Sequence, residues 1–135
     1  MELLIKKLLD FIMILAGCLV AMLGGIDDLM ELLFVMMVID VIAGVCIGVS
    51  KNKFSIRALF VGGLKKCLEL GVIIIAFMAD RAFGTEIWRM GAMVYYVGYE
   101  GISVTGNLGL LGVPLPKKLV ELFANMREDE NKVKE

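Results

Sequence analysis

Residues 32–49, LLFVMMVIDVIAGVCIGV, form an apolar run that contains one charged residue, Asp40, near its middle. An α-helix of this length extends about 27 Å, which is close to the thickness of the hydrocarbon core of a bilayer. A carboxylate at mid-depth costs roughly 2.5–3.5 kcal/mol against lipid, so Asp40 is expected to face protein, water or a partner. The alternative is a protonated Asp40 hydrogen-bonded to a neighbouring helix. Gly44 and Gly48 follow on the same face and predict a close contact between helices.

Three further apolar stretches surround this run, and the predicted helices cover about residues 8–26, 32–49, 62–83 and 90–113. The third is marginal because it includes several charged residues. Residues 114–135 form a tail whose start has apolar side chains at helical spacing. The fold class predicted from these patterns is all-α, a single polytopic membrane domain with four transmembrane helices and a short C-terminal amphipathic cytoplasmic helix. A three-helix variant, with the first stretch lying on the membrane surface, stays open.

Positive charges lie almost entirely on one side of these stretches. If all four cross a bilayer, only Arg81 and Arg89 among the fourteen Lys and Arg residues fall on the side opposite the N-terminus. Short cytoplasmic loops are enriched in Lys and Arg, so both termini are predicted to be cytoplasmic. Lys65 and Lys66 belong to the basic loop and are predicted to lie at the membrane surface.

The composition excludes several classes of function. Hydrophobic residues make up 59% of the chain, more than in a usual soluble domain, and there is no histidine to act as a metal ligand or general base. The net charge of −1 does not provide the basic surface of a nucleic-acid-binding protein. We therefore expect no cofactor, no metal and no nucleic-acid partner. The three cysteines are expected to stay reduced.

The N-terminal stretch has one other interpretation. Lys6 and Lys7 precede an apolar run, and Leu15-Ala16-Gly17-Cys18 is similar to a bacterial lipoprotein cleavage box. Asp10 interrupts the run, however, and the apolar residues continue past Cys18. A first transmembrane helix is the preferred prediction.

The fourth stretch combines glycine-rich sequence with polar side chains. Glu100, Ser103 and Asn107 are spaced three and four residues apart, so they form one stripe on a helix. Such a stripe in a membrane indicates either a helix–helix seam or the wall of an aqueous path. Alternatively, Glu100 pairs with Lys65 or Lys66 at the cytoplasmic interface.

The order of these features resembles a known family, the small phage holins that include the clostridial toxin-secretion holins. The resemblance covers about residues 35–122 and is most specific near the end of the fourth stretch. The matching segments are Asp40 with Gly44, Gly62 or Gly63 with Lys65-Lys66, Asp80, Tyr99-Glu100-Gly101-Ile102-Ser103, Asn107-Leu108-Gly109, Gly112-Val113-Pro114-Leu115-Pro116 and Leu119. Gly106 departs from the pattern, since many members carry an acid before the asparagine.

The resemblance implies a function that hydropathy alone does not. Holins accumulate in the bacterial inner membrane, assemble into homo-oligomers and open lesions at a set time, and these lesions release a cytoplasmic endolysin or a protein toxin. The resemblance implies no catalytic residue. Asp40, Gly44, Gly48, Glu100, Ser103 and Asn107 are the candidate pore and assembly residues. The main alternative is a small transporter or ion-channel subunit that uses Asp40 and Glu100; a membrane-embedded enzyme and a regulatory membrane subunit are further alternatives.

Overall fold

The computed structural model describes the backbone of residues 1–134, with the side chains of residues 126, 127, 130 and 134 outside the described set. The chain forms five α-helices, in the order α1 (Glu2–Met22), α2 (Asp28–Ser50), α3 (Ile56–Phe83), α4 (Ile87–Leu110) and α5 (Lys117–Lys134). No strand occurs in the described residues. The prediction of an all-α fold is confirmed.

The helices begin and end at recognisable signals. The side chain of Asp27 accepts a hydrogen bond from the backbone N–H of Met30 at 2.9 Å and caps α2, and Ser55 caps α3 in the same way. Gly24, with φ of +82°, and Gly25, with φ of +89°, turn the chain between α1 and α2, because their backbone conformations are unfavourable for other residues. α1 thus begins and ends several residues earlier than the predicted stretch.

Helices α2, α3 and α4 form the packed part of the molecule. α2 and α4 run in the same direction and α3 runs opposite to both, as the short connections between consecutive helices require. The apolar core lies towards the end of the bundle where α2 and α4 begin. Its buried residues are Leu23, Met30, Leu33, Met37, Ile73 and Met93.

The outer surface of the bundle is strongly apolar. Large side chains such as Leu68 and Ile75 on α3 and Val38 and Ile42 on α2 are more than half exposed. α1 has no buried residue and contacts the bundle through α3. Apolar exposure of this extent is unfavourable in water and indicates a surface that lipid or protein covers.

One described helix, α2, is both long and apolar enough to cross a membrane, with a mean hydropathy of 2.7 over its most apolar window. α1 carries Lys6, Lys7 and Asp10, and α3 and α4 contain ionisable and polar residues within their length. The composition of α2 supports a membrane location, and the four-helix topology stays a prediction.

α5 folds back against α4. The side chain of Phe123 is 8% exposed, and a Cβ atom built on Gly101 of α4 would overlap its ring. The predicted C-terminal helix is present, and the ring of Phe123 packs against α4, since Gly101 leaves space for it.

Candidate functional site: an ion network within the bundle

A network of charged and polar side chains joins the middle of α2, α3 and α4. The ammonium Nζ of Lys66 on α3 lies 2.9 Å from Oδ2 of Asp40 on α2, and 2.7 and 2.6 Å from Oε1 and Oε2 of Glu100 on α4. The Ser103 hydroxyl donates to Oδ1 of Asp40 at 2.6 Å, and Nδ2 of Asn107 donates to the same oxygen at 2.9 Å. Each of the three helices therefore contributes at least one member.

The network is largely shielded from the surroundings of the molecule. The side chain of Glu100 is 1% exposed, and those of Lys66 and Asp40 are 15% and 16% exposed. Asp40 lies about 18 Å along α2, and Glu100 about 20 Å along α4, from the first residue of each helix. The network thus lies near the middle of the most apolar helix.

The structure brings together four of the residues singled out in the sequence analysis. Glu100, Ser103 and Asn107 share one face of α4, as their spacing indicates, and all three enter the network with Asp40. This geometry places the stripe at a seam between helices of one chain.

Of the two predictions for Lys66, a membrane-surface base beside Lys65 or a partner of Glu100, the structure shows the pair with Glu100. The Lys66 side chain points into the bundle, while Lys65 is exposed. In the described structure Lys66 pairs with Asp40 and Glu100, and Oε2 of Glu69, one turn further along α3, is buried without a hydrogen-bond partner.

Gly44 and Gly48 line a groove between α2 and α3 next to the network. The groove has a volume of about 340 Å³ and is also lined by Asp40, Gly62 and Lys66. A Cβ atom on Gly44 would have no neighbour within 4 Å, whereas one on Gly48 would lie 3.4 Å from the backbone of Phe54. Gly48 therefore allows the turn into α3 to pack closely, and Gly44 leaves open space.

A second polar cluster lies at the other end of the bundle and was not foreseen. Nε of Arg89 donates to the carbonyl oxygen of Leu23 at 2.6 Å, one guanidinium N–H donates to the carbonyl of Gly25 at 3.0 Å, and another pairs with Asp27. The hydrogen bond from Arg89 holds the pKa of the Asp27 carboxyl below its usual range. Arg89 thereby ties the α1–α2 turn to the start of α4.

Asp80 completes this end of the bundle. Its carboxylate accepts hydrogen bonds from the backbone N–H groups of Trp88 and Arg89 at 3.0 and 2.8 Å, and from the Thr85 hydroxyl at 2.7 Å. Asp80 therefore satisfies backbone N–H donors at the start of α4 that have no hydrogen-bond partner within the helix. The sequence signal for this arrangement is the short α3–α4 connection, with an acid before it and a threonine within it.

The described residues contain no group of three or more His, Cys, Asp or Glu side chains arranged to hold a metal ion. The network is instead built from groups that satisfy one another. Its chemistry is that of a buried ion pair with amide and hydroxyl donors, which links three helices.

Comparison with known proteins identifies the class to which this bundle belongs. The family model of the bacteriophage holin family matches residues 17–128, and the chain belongs to that family. No solved structure matches the chain.

Several curated proteins are similar over most of their length. A probable holin of Bacillus phage phi105 is 26% identical over 112 residues, covering 82% of this chain and 83% of the phage protein. An uncharacterized protein of Halalkalibacterium halodurans is 32% identical over 126 residues, with 88% and 93% coverage. An uncharacterized 14.9 kDa protein of Clostridium perfringens, from the region 3′ of nagH, is 31% identical over 105 residues, with 76% and 80% coverage.

Proposed function

We propose that this protein is a holin that oligomerises in the bacterial inner membrane and opens lesions through which a cytoplasmic endolysin or a protein toxin is released. The observation that carries the proposal is the buried network of Asp40, Lys66 and Glu100, found midway along an apolar helix in a member of the holin family. The partners are the lipid bilayer, further copies of this chain and a released protein. The function requires no cofactor and no catalytic residue.

The apolar surface supports insertion of the whole bundle. α1 and the outer faces of α2 and α3 expose large hydrophobic side chains that lipid would cover. With the Lys and Arg residues concentrated on the side of the N-terminus, the bundle would insert as a multi-pass protein with both termini cytoplasmic.

The network explains how α3 and α4 can reside in a bilayer despite their charges. Lys66 on α3 and Glu100 on α4 are costly when each helix is considered separately. Within the bundle they face each other, and Asp40 is further stabilised by two hydrogen-bond donors of α4. Inside the bundle, Lys66 and Glu100 form a hydrogen-bonded pair away from lipid. This pairing lowers the free energy cost of insertion, because each of the two charges lies beside the opposite one.

The same geometry favours a holin over the alternative, a small ion channel or transporter subunit. A cation site needs carboxylate oxygens that are free to coordinate the ion. Both oxygens of Glu100 and both oxygens of Asp40 already accept hydrogen bonds or ion pairs from Lys66, Ser103 or Asn107. In this arrangement the carboxylates serve to join helices.

Controlled expression in a bacterium that also produces a cytoplasmic cell-wall hydrolase tests the function. A holin produces normal growth followed by abrupt lysis after a delay, and lysis requires the hydrolase. The matched control is the same strain without the hydrolase, which should stop growing without lysing. Continued growth with uptake of a particular solute would instead support a transporter.

Cysteine labelling tests the proposed orientation. Cys18, Cys46 and Cys67 are exposed and are first replaced by serine. Ile26→Cys, in the α1–α2 turn, should then react from outside the cell with an impermeant thiol reagent. Lys51→Cys, in the α2–α3 turn, should stay unreactive until lesions form. The reverse order of labelling would contradict cytoplasmic termini.

A further inference from the structure

Phe123 of α5 and Gly101 of α4 make a close contact between the two helices. Phe123 is the buried aromatic residue of α5, and its ring occupies space that any side chain at position 101 would fill. Gly106 and Gly109, which belong to α4 like Gly101, have no neighbour within 4 Å of an added Cβ atom. Gly101 is therefore a notch fitted to the Phe123 ring, whereas the other two glycines are not.

The Gly101 notch lies at the same depth as the ion network. Gly101 directly follows Glu100, so it is level with Asp40 in the middle of α2. It is nine residues, or about 13.5 Å, before the last residue of α4. A ring seated there draws α5 back to the level at which the centre of the hydrocarbon would lie if α2 and α4 crossed a bilayer.

α5 is unsuited to that environment. Lys117, Lys118 and Glu121 precede Phe123, and Glu128, Asp129 and Lys132 follow it in the same helix. The side chains of these residues are exposed. Placing these charged side chains at hydrocarbon depth is strongly unfavourable. The docked position of α5 and complete embedding of α4 are therefore incompatible.

We infer that α5 is a latch: with Phe123 seated in the Gly101 notch, it holds the C-terminal half of α4 out of the hydrocarbon, and its release permits α4 to embed fully. The Phe123 ring occupies the notch, whereas Leu119, Val120 and Leu122 of α5 are exposed. Small changes at this contact should therefore shift the balance between the two states.

The inference rests on the proposed function only in its consequence for lysis, which is that opening the latch advances the moment of lysis. Its structural part concerns the depth of α4 and is measured separately. Failure of the holin proposal would appear as absence of delayed lysis with the unaltered protein. Failure of the latch would appear as unaltered depth of α4 in the latch variants.

The experiment reports the depth of α4 through a single cysteine. Gly106→Cys is introduced after Cys18, Cys46 and Cys67 have been replaced, because position 106 is exposed and has space for a side chain. Inverted inner-membrane vesicles, with the cytoplasmic face outward, are treated with an impermeant thiol reagent. The cysteine labels when the latch is closed and is protected once the end of α4 enters the membrane.

Phe123→Ala and Gly101→Ala remove the two sides of the same contact. Each should abolish most of the labelling of Gly106→Cys and advance lysis, and the double variant should behave like either single one. Leu122→Ala, at the exposed neighbour on α5, and Gly109→Ala are the matched controls and should behave like the parent. Unaltered labelling in Phe123→Ala and Gly101→Ala, at normal protein levels, would overturn the latch. If the cysteine is protected in Phe123→Ala and Gly101→Ala but the timing of lysis is unchanged, the proposal that the latch controls lysis is overturned.

Discussion

The Lys66 ammonium lies 2.6 Å from Oε2 of Glu100, and this ion pair joins α3 to α4 at a site where Glu100 is almost completely buried. Asp40 of α2 shares the same ammonium at 2.9 Å. One cation therefore compensates two carboxylates from different helices. The stability of the bundle should depend more strongly on this lysine than on either acid.

Replacing Lys66 by methionine should destabilise the folded protein by about 3–5 kcal/mol, because two buried carboxylates lose their cation. Thermal unfolding of the detergent-solubilised protein measures the change. The triple variant Lys66→Met, Asp40→Asn, Glu100→Gln removes all three charges and should recover most of the loss. Lys65→Met, at the exposed neighbouring position, is the control and should alter the unfolding temperature little. Equal unfolding temperatures for Lys66→Met and Lys65→Met would contradict the assigned role.

Glu100→Gln should alter the timing of lysis while membrane insertion survives. The amide removes the charge that Lys66 compensates, so the seam between α3 and α4 is weakened, whereas loss of a charge eases insertion. Asn107→Leu removes a donor to Asp40 and should shift timing as well. Tyr99→Phe, at an exposed neighbouring position, provides the control. Parental timing for both Glu100→Gln and Asn107→Leu, at parental protein levels, would show that the polar stripe has no part in lesion formation.

The glycines of α2 predict a contact between copies of the chain. Gly44 has open space around its α-carbon and lines the groove between α2 and α3, so a helix of another copy can approach its backbone there. Gly44→Leu should reduce the ladder of crosslinked oligomers. Gly48→Leu should also reduce it, although its side chain would press on the Phe54 backbone of the same chain. Cys46→Leu adds bulk outside the groove and should leave the ladder intact; an unchanged ladder in Gly44→Leu would exclude the contact.

The Asp27–Arg89 pair predicts a modest sensitivity to acid at the other end of the bundle. The pKa of Asp27 is lowered in the folded protein, so its stabilisation is present above the unfolded value of about 3.9 and is lost as the pH falls through the folded value. Because Asp27 is about half exposed, the effect should be on the order of 1 kcal/mol or less. Unfolding temperatures between about pH 3 and 6 should therefore fall less steeply for Asp27→Asn than for the parent. Asp28→Asn serves as the control, and parallel curves for Asp27→Asn and the parent would contradict the pairing.

The sequence predicted where the helices lie along the chain better than it predicted which side chains contact one another between helices. The apolar run around Asp40 predicted α2 to within a few residues, because its length and its hydropathy indicate the same helix. The spacing of Glu100, Ser103 and Asn107 placed them correctly on one face of α4. Spacing within one helix does not, however, determine how neighbouring helices are rotated, so the convergence of this face on Asp40 was not predictable.

Two contacts illustrate this limit. Lys66 was predicted either to lie at the membrane surface with Lys65 or to pair with Glu100, and the three-dimensional arrangement adds Asp40 as a second carboxylate within its reach. Gly101 is one of several glycines in α4, and nothing in the local sequence distinguishes it from Gly106. Its role depends on Phe123, which belongs to a different helix.

The size of the solute that escapes through the assembled protein tests the central claim most directly. The purified protein is reconstituted into vesicles of bacterial phospholipids that contain both a small fluorescent dye and a fluorescent dextran of the size of an endolysin. A holin lesion should release the dye and the dextran together above a threshold of protein density, and Lys66→Met should shift that threshold. Release of the dye with complete retention of the dextran, at all protein densities, would contradict the account and indicate a small-solute channel.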